Sequence, residues 1–519
     1  MLEQELKLHV PVAARKAVVA QLKAQSAEPR IRLRAMYFDT PDRQMARQRA
    51  AVRLRLEGRK WVQTFKMAGQ DALSRIELNH PRPGPELDLS VYAGTPAEAV
   101  FAKIKGELAL RYETDVWRTR RLIRTRLGMV EVAYDDGMIR AGGLELPLNE
   151  VEFELISGKV GALFTLATRW VKQFGVVLDV RSKAERGDGL ANAAGRINEA
   201  AGDQRKLVRD AEIARFWAPV PAGKVVLPIR ATPERALDIV TAECVEQIIR
   251  NAASLAEVDT VLPSTAGGAE HVHQLRIGMR RLRSAWRLFD GWTPLPSESA
   301  QEGAARYFGE FGAARDSDVL GESVVPALLR AGMPSISLMV AGDPINANKL
   351  AASPAFQTWL LDILAWSIGM RPAPAPVLAP AEEAPSAAQP GKLVVPVAGR
   401  LRKWHKRLVA DGRRFHELDD PARHKLRKLA KRLRYGLSFT ESLFDAHRVK
   451  PYRKRLAQLQ DVLGNINDLV VARDLYATMT GEHPQAWFAL GWIAARLEEL
   501  YKDAEDEIAL LADVPPFWK

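Results

Sequence analysis

Glu3, Glu5 and Lys7 alternate with Leu2, Gln4, Leu6 and Leu8 at the start of the chain. A period of two places the three charges on one face of a strand. Glu150, Glu152 and Glu154 alternate with Val151, Phe153 and Leu155 in the same way. Two strands with acidic faces repel each other unless cations or cationic side chains lie between them. The chain supplies such side chains: Arg53 and Arg55 share a face within 52–56, Lys66 shares one with Thr64 within 61–66, and Arg118 and Arg120 share one within 112–126. Carboxylate oxygens bind hard divalent ions, whereas guanidinium and ammonium groups grip phosphate oxygens directly. Together these residue types suit a compact polyanion held through divalent metal.

The elements that must position these residues are mostly strands. Strand-like runs are expected at 30–39, 52–56, 61–66, 72–79, 112–126 and 128–135, with a helix over 13–25. Turns are expected at Thr40-Pro41-Asp42, at Gly58 and at Asp135-Asp136-Gly137. A sheet closed into a barrel accommodates strands that repeatedly pair one charged face with one apolar face. Its interior would mix Glu3, Glu5, Asp135, Glu152 and Glu154 with Lys7, Arg53, Arg55, Lys66 and Arg118, and helices would cover the apolar outside. A purely structural salt-bridge network is the competing reading. Buried ion pairs stabilise weakly, so a ligand-binding interior is favoured.

With 519 residues, two or three domains are expected. A net charge of +12 favours a polyanionic partner: nucleic acid, an anionic membrane or polyphosphate. Cys244 is the single cysteine, which excludes an intrachain disulfide and a cysteine metal cluster. The acidic start differs from a signal peptide, and no apolar run of about 18 residues is present to span a bilayer. A cytoplasmic protein without a membrane segment is expected.

From Thr232-Pro233, which reads as a helix N-cap and first turn, the periodicity is helical to the end. The run His273–Arg283 recurs 151 residues on as His424–Arg434. Phe311–Asp316 is echoed by Leu463–Asp468, which suggests two duplicated helical halves, each with an Asp-bearing turn. On a helix, His273, Arg276, Arg280, Arg283 and Arg287 fall within roughly 80° of one face, as do His424, Arg427, Lys431 and Arg434. Neither stripe has interspersed glutamates, so both invite an anion. The histidines are read as phosphate contacts, because neighbouring arginines oppose a metal cation. RNA-reading aromatics are not interleaved with these stripes, which makes nucleic acid an unlikely partner.

Glu3-Gln4-Glu5-Leu6-Lys7 resembles the ExExK signature of the CYTH, or triphosphate tunnel metalloenzyme, family. Tyr37–Pro41, Arg53-Leu54-Arg55, Lys66, Glu150–Glu154 and Ser182–Gly187 are similar to further blocks of that family, in order. The paired histidine helices resemble the CHAD domain, a helical module associated with inorganic polyphosphate. These resemblances imply an α+β two-domain chain. An eight-stranded antiparallel β tunnel would occupy 1–200, followed by a linker at 201–227. An all-α duplicated bundle would follow at 228–515, its halves 228–370 and 397–515 separated by a Pro/Ala-rich linker at 371–396.

The implied activity is hydrolysis of inorganic triphosphate to pyrophosphate and phosphate, with Mg²⁺ or Mn²⁺ as cofactor. Glu3, Glu5, Asp135, Glu150, Glu152 and Glu154 would serve the metal. Lys7, Arg53, Arg55, Lys66, Arg118, Arg120 and Lys183 would serve the triphosphate. Both histidine stripes would bind polyphosphate, with association to polyphosphate granules. The alternatives are a polyphosphate-binding protein with an idle tunnel, a thiamine-triphosphatase and an adenylate cyclase. Arg75-Ile76-Glu77-Leu78-Asn79 departs from the family's Arg-x-Glu-x-Glu strand, which leaves the role of Glu77 open.

Overall fold

Alternation of charged and apolar side chains closes the N-terminal sheet on itself. The computed structural model describes residues 2–24, 29–69, 71, 73–256, 268–313, 324–334, 346–370 and 393–518. Nine strands occur among them: β1 (Leu2–His9), β2 (Ile31–Asp39), β3 (Ala50–Glu57), β4 (Lys60–Ala68), β5 (Ser74–Arg82), β6 (Ala109–Arg124), β7 (Gly128–Ala141), β8 (Leu144–Gly158) and β9 (Val177–Leu178). Their order is β5-β4-β3-β2-β6-β7-β8-β1, and β1 pairs again with β5. Eight antiparallel strands therefore form a closed barrel, and the two-residue β9 lies beside the end of β1.

Register decides which side chains share the inside. Glu5 lies opposite Glu154, Lys7 opposite Glu152, Asp135 opposite both Arg118 and Glu150, Lys66 opposite Glu77, and Arg53 opposite Tyr37. Directly opposite residues point to the same face of a sheet, so all of these line the interior. The other face is apolar. Leu6, Leu8, Val132, Val151 and Phe153 are buried there, and Phe153 meets Trp170 of the helix Gly161–Phe174 edge to face at 5.4 Å. A second outer cluster packs Val52 and Phe65 against Tyr92 and Val100.

Toward one end the inner face becomes apolar. Leu33, Tyr37, Tyr112, Val116, Ile139, Leu146 and Leu148 pack there against Leu190 and Ala191 of the helix Lys183–Glu199. That helix closes this end of the barrel. Its approach depends on Gly187, where a Cβ would lie 2.2 Å from the Tyr112 ring.

Two local expectations are corrected. Asp135-Asp136-Gly137 is not a turn, because β7 runs through it to Ala141. The hairpin turns at Gly142 and Gly143, both at positive φ (51° and 86°), where glycine has no Cβ penalty. The expected linker at 201–227 contains the helix Gln204–Phe216.

The chain divides into two compact units: Met1–Pro221 with Glu246–Leu275 and Ala347–Arg371, and Ala222–Val245 with Arg276–Asn346 and Pro372–Lys519. The grouping in space thus departs from sequence order. In the first unit, the helix Pro354–Ser367 brings buried Gln357 to the end of β9. Its Oε1 accepts from the Leu178 amide (2.8 Å), and its Nε2 donates to the Ala351 carbonyl (2.6 Å).

In the second unit, four helices pack in a ring: Val394–Gly412, Asp420–Thr440, Ala446–Met479 and Ala486–Asp513. Leu401, Leu433, Leu456, Leu463, Leu497 and Ile508 are buried within it. Asp419 caps the second of these helices by accepting from the Ala422 amide at 2.8 Å. The Leu463–Asp468 echo is not a turn but the interior of a continuous helix. Its counterpart Asp316 lies outside the described residues, as do 371–392 of the Pro/Ala stretch. Residues 394–396 of that expected linker already belong to a helix.

Candidate functional site

The closing helix brings two cations to the strand carboxylates. Ser182 caps it, its hydroxyl accepting from the Glu185 amide at 3.0 Å. Lys183 and Arg186 are one turn apart and so share a face. Lys183 Nζ lies 2.7 Å from Asp135 and 2.9 Å from Glu152, and it also contacts Glu150. Arg186 pairs with the other Glu150 oxygen. Arg118 grips Asp135 with two bonds of 2.7 Å and reaches Glu152 at 2.5 Å. Burial opposes every charge here, yet mutual pairing prevails. Lys183 is held above its ordinary pKa by the three carboxylates, and Glu152 is held well below its own by Lys183, Arg118 and Lys7.

Farther along the interior, Lys66 stands 3.0 Å from Glu3 and also contacts Glu77, while Lys7 contacts Glu5. Glu77 accepts from Asn79 (2.8 Å), whose carbonyl accepts from Thr64 (2.7 Å). Glu77 thus belongs to the interior, and Asn79 fixes its carboxylate. Burial and the bond to Glu77 push Glu3 up to about 8. Burial also raises Glu154. Arg53 donates to the Tyr37 hydroxyl (3.0 Å), and Arg55 donates to Glu57 (2.6 Å).

Arg120 shares the inward parity. Its side chain is 43% exposed and lies 3.4 Å from Glu131. Arg186 escaped the sequence reading, although its place three residues after Lys183 in the Ser182–Gly187 block was the available signal.

Asp135, Glu150 and Glu152 offer oxygens that all lie within 4.8 Å of one another. An all-oxygen donor set of this kind fits Mg²⁺ or Mn²⁺. The Lys183 ammonium already satisfies the same three groups. Glu3, Glu5 and Glu154 provide further carboxylates along the same inner face.

The second unit carries a separate basic cluster. On the helix Gly268–Phe289, Arg276, Arg280 and Arg283 place their guanidinium carbons 4.8, 5.1 and 5.7 Å from the Phe308 ring centre. The helix Asp420–Thr440 adds Arg427 and Lys431. Burial, then Arg280 and Arg427, push Lys431 down to about 6 against the opposing pull of Asp468. Burial also lowers Arg427. Asp468 is therefore an acidic neighbour that the two stripes themselves did not reveal.

The remaining stripe residues are spread more widely. Arg434 donates to Gln460 at 2.8 Å, and Arg287 and His424 are exposed. His273 falls in the first compact unit rather than with Arg276 and the residues after it. Among the described residues, no helix is long and apolar enough to cross a membrane.

Residues 1–187 match the CYTH domain model and residues 241–477 match the CHAD domain model. An inorganic triphosphatase of Haemophilus influenzae is 33% identical over 158 residues, which cover 29% of this chain and 44% of that protein. The chain thus spans less than half the length of this relative. Among solved structures, the CHAD domain from the plant Ricinus communis is 28% identical, covers 58% of this chain and 98% of its own, and superposes with a TM-score of 0.45. A putative adenylyl cyclase from Hippeastrum, described as having a dominant triphosphatase activity, is 16% identical over 36% of this chain and 95% of its own, with a TM-score of 0.25.

Proposed function

Since the chain carries a CYTH domain followed by a CHAD domain, we propose that its barrel hydrolyses inorganic triphosphate to pyrophosphate and phosphate with Mg²⁺ or Mn²⁺, and that its helical cluster binds inorganic polyphosphate. The observation that carries this reading is the inner face, where carboxylates and cations together line one closed barrel. A bound triphosphate would pair with the inner cations and its divalent ions with the inner carboxylates, in place of the internal ion pairs.

Glu3, Glu5, Glu152 and Glu154 would hold metal, with Asp135 and Glu150 orienting Arg118, Lys183 and Arg186. When bound, the divalent ion neutralises phosphoryl oxygens and lowers the cost of the attacking water's approach. Lys7, Arg53, Arg55, Lys66 and Arg118 stabilise the charge that develops on the transferred phosphoryl group. The closing helix covers one end of the barrel, where Leu190 and Ala191 pack on the inner face.

A second reading is a tunnel that binds without turnover. The observation favouring it is the Lys183 ammonium seated among Asp135, Glu150 and Glu152, whose oxygens are grouped closely enough to hold an ion themselves.

Phosphate release from tripolyphosphate, measured with Mg²⁺, with Mn²⁺ and without metal, separates the two. Metal-dependent turnover that falls at least about 100-fold in Glu5→Gln and persists in the double variant Arg276→Ala, Arg427→Ala supports catalysis in the barrel. Binding of tripolyphosphate without phosphate release supports the second reading.

A further inference from the structure

We propose that Tyr37 is a positioning residue that fixes the Arg53 guanidinium toward phosphoryl oxygens in the barrel. This rests on the triphosphate reading above and adds a residue to it. Lys7, Arg55, Lys66, Arg118, Lys183 and Arg186 each face a carboxylate. Arg53 differs. Among the described residues it forms no ion pair, its Nε has no hydrogen-bond partner, and its one bond runs from Nη1 to the Tyr37 hydroxyl at 3.0 Å.

A guanidinium has five N–H donors. Burying the Arg53 Nε without a partner is costly, and an anionic ligand in the barrel removes that cost. Glu77 attracts the Arg53 charge without an ion-pair contact, and the hydrogen bond of Arg53 is to Tyr37. Tyr37 is itself immobilised: its ring stacks on Tyr112 with centroids 4.6 Å apart and 17° between planes. Tyr112 in turn fills the notch left by Gly187 of the closing helix.

The arrangement therefore runs from the closing helix through two stacked rings to one guanidinium. Burial would raise the Tyr37 pKa, yet Arg53, with Lys183 and Lys66, brings it below the usual tyrosine value. This direction agrees with a hydroxyl whose oxygen serves a cation.

Tyr37→Phe removes the hydroxyl and keeps the stacked ring, so the variant is expected to fold, with a modestly lower melting temperature because Arg53 loses its one hydrogen bond. A double-mutant cycle with Arg53→Ala isolates the coupling. Tyr37→Phe should lower kcat/KM for tripolyphosphate about 10-fold in the natural chain, one hydrogen bond to a charged group being worth about that factor, and should change nothing further in the Arg53→Ala background.

An equal loss in both backgrounds, or no loss in the natural chain, would overturn the proposal and leave Tyr37 a packing residue. If the unaltered protein binds tripolyphosphate without cleaving it, the hydrolysis reading fails, and the same cycle read in Kd still decides the role of Tyr37. Absence of both binding and turnover overturns both.

Discussion

At the scale of single residues, Lys183 is the most consequential side chain in the barrel. It sits in contact with three carboxylates from two strands. Removing one partner of a buried charge group leaves the others uncompensated, at a cost of about 3–5 kcal/mol. Lys183→Met should therefore lower the melting temperature sharply. The same change frees an all-oxygen set, so Mg²⁺ or Mn²⁺ should raise the variant's melting temperature more than that of the natural protein. Thermal melts with and without each ion check this, and equal shifts in the two proteins would refute it.

Much at this scale was legible in the sequence. Parity, with the sheet closed into a barrel, placed Glu3, Glu5, Lys7, Arg53, Arg55, Lys66, Arg118, Asp135, Glu152 and Glu154 on one inner face. What parity cannot convey is which cation meets which carboxylate. The partners of Lys183 come from strands more than 30 residues away in sequence, and Asn79 holds Glu77 through a contact that only the pairing of β4 with β5 creates.

At the scale of elements, the barrel depends on how closely the helix Lys183–Glu199 approaches the inner face. A Cβ at Gly187 would stand 2.2 Å from two Tyr112 ring atoms, far inside van der Waals contact. Gly187→Ala should cost about 1–3 kcal/mol by overpacking, even though alanine favours a helix by about 1 kcal/mol over glycine. Because Lys183 and Arg186 ride on this helix, the variant should also lose affinity for tripolyphosphate. Denaturant melts and calorimetric titration test the two effects, and a variant more stable than the natural protein would exclude the close packing.

Strands and helices were readable here wherever one period dominated. The misreadings arose where local composition conflicted with tertiary pairing. Asp135-Asp136-Gly137 has the makeup of a turn, but Arg118 and Lys183 neutralise Asp135 within a continuous strand. Gly464 and Asn467 resemble loop residues, yet buried Leu463, Ile466 and Leu469 hold their segment in a helix.

At the scale of the whole molecule, two charged sites differ in how they are balanced. The barrel pairs nearly every cation with a carboxylate. The helical unit gathers Arg276, Arg280, Arg283, Arg427 and Lys431 with Asp468 as an acidic neighbour, in a chain of net charge +12. Lys431 falls to about 6 because burial, Arg280, Arg427 and Arg276 all disfavour its charge.

A polyanion bound there reverses the sign of the local field and raises that value, so binding between the free and bound pKa takes up a proton. Polyphosphate affinity should then be greatest near pH 6 and fall as the pH rises toward 8, and salt should weaken it at every pH. Lys431→Met should flatten the pH dependence while keeping part of the binding. Linkage gives the matching effect on stability. The unfolded chain keeps this lysine protonated up to about 10.5 while the folded chain releases the proton near 6, so the unfolded state binds more protons in that window and stability attributable to Lys431 rises with pH across it. Calorimetric titrations of long-chain polyphosphate in two buffers of different ionisation enthalpy measure the proton uptake directly. A heat of binding that is the same in both buffers at pH 7 would show that no proton is taken up and would refute the linkage of Lys431 protonation to polymer binding.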